Sequence, residues 1–138
     1  VWYKHIMLPI DLEHADRMGK AIETALALTV QFGAKLTIVG VTSELPGVSA
    51  HNPAEFEEKL SALAQRLGEG LPHGAQSKTY VAHDPTAQLD AILLDAVKDV
   101  EADLVVMASH IPNALNAIWP SHGGKMASHA DISVFVVR

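Results

Sequence analysis

Five short apolar runs alternate with four longer stretches of helical periodicity along the chain. The runs are Ile6-Met7-Leu8-Pro9-Ile10, Leu36-Thr37-Ile38-Val39-Gly40-Val41, Ser77-Lys78-Thr79-Tyr80-Val81-Ala82, Leu104-Val105-Val106-Met107-Ala108 and Val134-Phe135-Val136-Val137. Four of them are almost continuously apolar, the pattern of strands covered on both faces. The run at 77–82 is more polar, which predicts an edge strand.

Between the runs, Met18, Ile22, Ala25, Leu28 and Phe32 recur at steps of three and four, and Gly33 stops the pattern. Asn52-Pro53-Ala54-Glu55 is a helix start: Asn52 caps, Pro53 suits the first position and Glu55 reaches back. Phe56, Leu60, Leu63 and Leu67 then form one stripe. Asp84-Pro85 opens a third helix in the same way, with Leu89, Ile92, Leu93, Ala96, Val97 and Val100 on its buried side. A short fourth helix is expected from Ser121 to about His129, and loops at 42–51 and 109–120. Helical crossovers require parallel pairing, and right-handedness restricts their topology. The expectation is one domain over 1–138, a three-layer α/β sandwich on a five-stranded parallel sheet of order 3-2-1-4-5.

That order places chemistry. Ligands bind an open parallel sheet at the carboxyl ends of its strands, where the order reverses. The reversal lies between strands 1 and 4, so Pro9-Ile10-Asp11 and Ala108-Ser109-His110 face each other, with Val39-Gly40-Val41 as a neighbouring wall. Asp11 is the most informative carboxylate there: it suits a ribose hydroxyl, an adenine amino group, a metal, or merely the cap of the next turn. Ser121-His122-Gly123-Gly124-Lys125 joins a loop to a helix start, where free N–H groups attract anions. The same glycines would equally let that helix pack closely on the sheet. Neither a Walker loop nor Gly-x-Gly-x-x-Gly is present.

Composition narrows the field. The 138 residues suit one core, and with 5% aromatics that core is aliphatic. A net charge of -6 argues against nucleic acid, which requires a basic footprint. There is no cysteine, hence no thiolate chemistry, and no apolar run approaches the roughly 20 residues that cross a bilayer. No signal-like segment opens the chain, and Val1 in place of methionine suggests a lost initiator or tag; a cytoplasmic location is expected.

The residues at both ends carry a resemblance that extends over essentially the whole chain. His5-Ile6-Met7-Leu8-Pro9-Ile10-Asp11 is similar to the strand-Pro-x-Asp start of the universal stress protein (UspA-like) family. Gly40-Val41 resembles that family's second-strand exit, and His83-Asp84-Pro85 stands where it often has Gly-x-Pro. Met107-Ala108-Ser109-His110, and then His129 through Arg138, look like its closing strand, loop, helix and final strand. The resemblance implies an adenine nucleotide alpha hydrolase-like (HUP) topology and adenine-nucleotide binding, ATP (with Mg2+) or AMP, in stress response or partner regulation. The family's ATP motif is Gly, two residues, Gly, nine residues, Gly, then Ser or Thr. At that spacing this chain has Ala108, Ile111, Ser121 and His122, so the length is kept and the glycines are not. The implied site comprises Pro9, Asp11, Val39, Val41, Met107, Ser109, His110, Ser121, His122, Gly123 and Gly124, the phosphate contacts having slid to the last two. The family's final strands often meet across a two-fold axis, which implies a homodimer through Ser133, Val134, Phe135, Val136 and Val137.

Other readings stay open beside this one. A nucleotide-free dimeric interaction module of the same fold, acting on a protein partner, is the alternative. Ser109 and His110 lack the Gly-x-Ser-x-Gly elbow of a hydrolase, and no general base is marked, so at most slow ATP hydrolysis is expected. Asp11 and Asp84 mimic a phosphorylated receiver only loosely. Among eight histidines none shows zinc-helix spacing, and no metal is expected. His5, His14, His51 and His73 are expected at the surface or in turns. Trp119 is expected to anchor its loop on the sheet edge, and Trp2 and Tyr3 to shield the bottom of the sheet.

Overall fold

A computed structural model describes residues 2–47, 50–109 and 122–138, with the backbone alone for 122–125. Five strands, β1 (His5–Pro9), β2 (Lys35–Ser43), β3 (Ala75–Ala82), β4 (Leu104–Ala108) and β5 (Ser133–Val137), form one sheet of order β3-β2-β1-β4-β5. All of its pairings are parallel. The crossovers are α1 (Gly19–Phe32), α2 (Pro53–Gly68), α3 (Pro85–Asp99) and α4 (His122–His129). Right-handed crossovers put α1 and α2 on one face and α3 and α4 on the other, because the chain reverses its direction across the sheet after β3.

The local signals act as their chemistry dictates. The Asn52 side chain accepts the Glu55 N–H at 2.8 Å, and Glu55 reaches back to the His51 N–H at 3.2 Å. Asp84 accepts the Ala87 N–H at 3.3 Å, while Gln88 accepts the Asp84 N–H at 2.8 Å. Gly33 ends α1 at φ 62°, a left-handed conformation that glycine adopts without penalty.

Alternation along the strands divides the core between the two faces. Ile6, Leu8, Leu36 and Ile38 are buried on the α1–α2 side; Met7, Val39, Val105 and Met107 are buried on the α3–α4 side. Gly40 belongs to the first side, where α2 lies so close that an added Cβ would stand 2.7 Å from the Phe56 ring. Each fully buried Leu or Ile contributes roughly 1.5–3 kcal/mol.

Several expectations are corrected. β2 continues to Ser43, so Gly40-Val41 lies inside the strand, paired with Thr79 and Tyr80, and not at its exit. Residues Leu12–Arg17 form a 3-10 helix that apolar periodicity does not announce. His5 is not a turn residue: it is half-buried at the start of β1, with Nε2 2.7 Å from the Thr37 hydroxyl. Tyr3 does cover the foot of the sheet, donating to the Ser133 hydroxyl at 2.9 Å and meeting Phe32 edge-on. Trp2 does not, being 85% exposed. Trp119 lies outside the described residues.

Candidate functional site

The site begins where two ladders diverge. β1 pairs with β2 along its whole length, from His5↔Lys35 to Pro9↔Val39. β4 likewise pairs with β5 from Leu104↔Ser133 to Ala108↔Val137. Between β1 and β4 the pairing is only Ile6↔Leu104 and Met7↔Val105. Pairing between these two strands therefore lapses over their carboxyl halves, at the reversal of strand order where open parallel sheets present a crevice to ligands.

Pro9 gives the physical reason. In a parallel ladder successive residues direct their N–H and C=O groups to alternate sides. Asp103 donates to the His5 carbonyl at 3.0 Å, so the odd residues of β1 address β4; Ile10 donates to the Val39 carbonyl at 2.8 Å, so the even ones address β2. Pro9 falls on the β4 side and has no N–H to give. The bond that would continue the ladder to the Val106 carbonyl does not exist.

The rims of the crevice contain the implied residues in different degrees. Pro9, Val39 and Met107 are buried in the sheet, so they shape the floor from beneath. Val41 is half-buried in β2. Ser109 follows β4, its N–H and its hydroxyl both donating to the Val137 carbonyl at 2.8 and 3.1 Å. That hydroxyl thus closes the β4–β5 end and keeps only its lone pairs for a ligand. Gly123 and Gly124 occupy the first turn of α4, which begins at His122; His110 and Ser121 lie outside the described residues.

Asp11 stands at the N-cap of the 3-10 helix, yet its side chain makes no capping bond. Its Oδ2 lies instead 2.9 Å from His14 Nδ1, with both side chains 13% exposed. His14 is thereby also corrected from a surface residue to a partner of the central carboxylate. The backbone N–H of Asp11 points at the Met18 sulfur, 3.4 Å away. Asp11, Glu13 and His14 bring their ligand-type atoms within 4.8 Å of one another.

Two clefts lie at opposite ends of the strands. A small one, about 130 Å³, opens beside the ends of β4 and β5 and is lined by Arg17, Lys20, Ala108, Val137 and Arg138. Sequence reasoning missed its cations, because Arg17 and Lys20 come near Arg138 only through the fold; Lys20 donates to the Arg138 carbonyl at 2.9 Å. A larger one, about 340 Å³, lies between α3 and α4 at the amino end of β5, bounded by Leu94, Lys98, His129 and Ile132. It is at the wrong end of the strands for the crevice chemistry, and its greater volume does not outweigh that placement.

β5 occupies the sheet edge expected of it. Phe135 is 45% exposed and Ser133 exposed, Val134 and Val136 are half-buried, and Val137 is buried. Val137 therefore has no side-chain surface to offer a second chain. No described helix is long and apolar enough to cross a membrane.

Comparison with known proteins agrees with this fold. The model of the universal stress protein family matches residues 3–138. Universal stress protein G of Salmonella typhimurium is 29% identical over 149 aligned positions, covering 99% of each chain. The structure of universal stress protein UspA from Lactobacillus plantarum superimposes with a TM-score of 0.71 at 18% identity, covering 100% of this chain and 99% of that one. The universal stress protein of Archaeoglobus fulgidus in complex with dAMP gives 0.66 at 18% identity, covering 100% of both chains.

Proposed function

The chain belongs to the universal stress protein family, and from that premise we propose that it is an adenine-nucleotide-binding regulatory protein. It takes AMP or ATP, the latter with Mg2+, in the crevice between β1 and β4, and acts in stress response or on a partner protein. The observation that carries the reading is the end of the β1–β4 ladder after Met7↔Val105, before Pro9, at the reversal point of the sheet. A structural neighbour that holds dAMP supports the choice of ligand class.

The residues fit such a ligand in defined roles. Asp11 accepts from an adenine amino group or a ribose hydroxyl, and Val41 offers an apolar wall to the base. Ser109, His110, Ser121 and His122 are assigned to the phosphates, and the first turn of α4 at Gly123 and Gly124 presents backbone N–H groups to them. Arg17, Lys20 and Arg138 contribute positive charge beside Ala108. Binding biases the 109–120 loop and, through it, a dimer or partner surface. The dimer is built on the β5 edge. No nucleophile with its base is assembled among the described residues, and the role is a sensor's, with at most slow hydrolysis.

The second reading, a nucleotide-free dimeric interaction module, draws on the missing glycines at positions 108, 111 and 121. Calorimetric titration of nucleotide-stripped protein with Mg-ATP and with AMP separates the two. Saturable micromolar binding, abolished by Gly124→Val with folding intact, is the expected result. Absence of heat with either nucleotide, together with an unchanged melting temperature, would establish the module instead.

A further inference from the structure

We propose that Asp11, Glu13 and His14 form a site for a divalent transition-metal ion of borderline character, such as Zn2+ or Co2+. This goes beyond nucleotide binding and does not rest on it. The three donors arise from one tight segment. In a 3-10 helix, residues three apart lie one above the other, which stacks the His14 ring over Asp11. The His14 backbone departs from helical values at φ -117°, ψ 20°, so the segment kinks at the residue that supplies the imidazole.

The spacing suits a metal. Two cis ligands at about 2.1 Å from one ion, near a right angle, lie about 3 Å apart. His14 Nδ1 and Asp11 Oδ2 are 2.9 Å apart. The ligand atom of Glu13 falls within the same 4.8 Å span. Glu13 is exposed, and among the described residues its carboxylate has neither an ion pair nor a hydrogen bond. Among the described residues Asp11 makes no capping bond, and its carboxylate is held by His14 alone. Two carboxylates beside one imidazole thus carry negative charge that a cation would balance.

The donor set selects the ion. Imidazole suits zinc, cobalt, nickel and copper, whereas magnesium and calcium prefer all-oxygen shells. One nitrogen and two oxygens leave coordination positions for water, so affinity falls well short of a four-ligand structural zinc site.

The test uses the full chain, tag-free and nucleotide-free, titrated with CoCl2 and followed by visible absorption, then with ZnCl2 by calorimetry. The expected result is one equivalent bound. His14→Ala weakens it at least about tenfold, the scale on which metal sites respond to losing even supporting partners. Glu13→Gln weakens it severalfold, and His73→Gln, at an exposed histidine elsewhere, leaves it unchanged; circular dichroism checks that each variant is folded. Equal affinity in the wild type and His14→Ala, loss at His73→Gln instead, or no saturable binding at all would overturn the site. Because no nucleotide is added, none of these outcomes bears on the crevice.

Discussion

Restoring one N–H in β1 should close the crevice. Pro9→Ala supplies the donor that alternation aims at the Val106 carbonyl. A net backbone hydrogen bond is worth about 1 kcal/mol. Against it stands the looser unfolded chain that follows loss of proline, about 0.4–1 kcal/mol. The two nearly cancel, so the urea midpoint should move little. Binding is different, because a ligand entering between β1 and β4 must first break the new bond. About 1 kcal/mol corresponds to roughly fivefold weaker nucleotide binding. Hydrogen exchange by NMR reads the structural half of the claim directly: in the Pro9→Ala variant the new amide should be protected like its neighbours in the ladder. Exchange of that amide as fast as in a loop, with affinity unchanged, would refute the role given to Pro9.

Further outcomes follow from packing, capping and titration. Gly68→Ala places a Cβ 2.5 Å from the backbone nitrogen of Ala75; overpacking against backbone should cost about 1–3 kcal/mol, seen as a lower urea midpoint, and more than Gly40→Ala, whose clash is with the movable Phe56 ring. Asn52→Ala removes the cap of α2 and should cost about 1 kcal/mol, lowering the melting temperature by about 3–4 °C. Burial first, and then the neighbouring Lys35, holds the His5 imidazole below its ordinary 6.5, although Asp103 and Glu101 oppose them. The unfolded chain therefore takes up a proton that the folded chain resists. Stability should fall as pH drops below 6.5 towards the lowered value, then level off, and His5→Gln should flatten that slope in pH-dependent urea melts. Val136→Lys on the β5 edge should yield a monomer in sedimentation; an intact dimer would place the interface elsewhere.

Much of the fold was legible because its signals are local. The run at 104–108 is a strand end to end, and Asn52, Asp84 and Gly33 cap as their chemistry requires. The 3-10 segment was not legible, since Leu12–Arg17 is too short and too polar to show a period. The true end of β2 was missed because Thr42 and Ser43 look like loop residues, yet pairing with Val81 and Ala82 holds them in the sheet. His5 was misplaced for a similar reason: a polar residue at a strand start reads as exposed, while its partner Thr37 comes from the adjacent strand. Within the site, Asp11 and the strand reversal were readable from sequence. The bond of Ser109 to Val137, the approach of His14 to Asp11 and the gathering of Arg17, Lys20 and Arg138 were not, because each joins residues that only tertiary structure brings together.

The location of the ligand is the point on which the functional reading turns, and amide shift mapping of the isotope-labelled protein during AMP titration tests it most directly. A saturable set of changes at Ile10, Asp11, Val41 and Ser109, at the carboxyl ends of β1, β2 and β4, is predicted. Changes confined to the cleft of Leu94, Lys98, His129 and Ile132, or none at millimolar AMP, would contradict it.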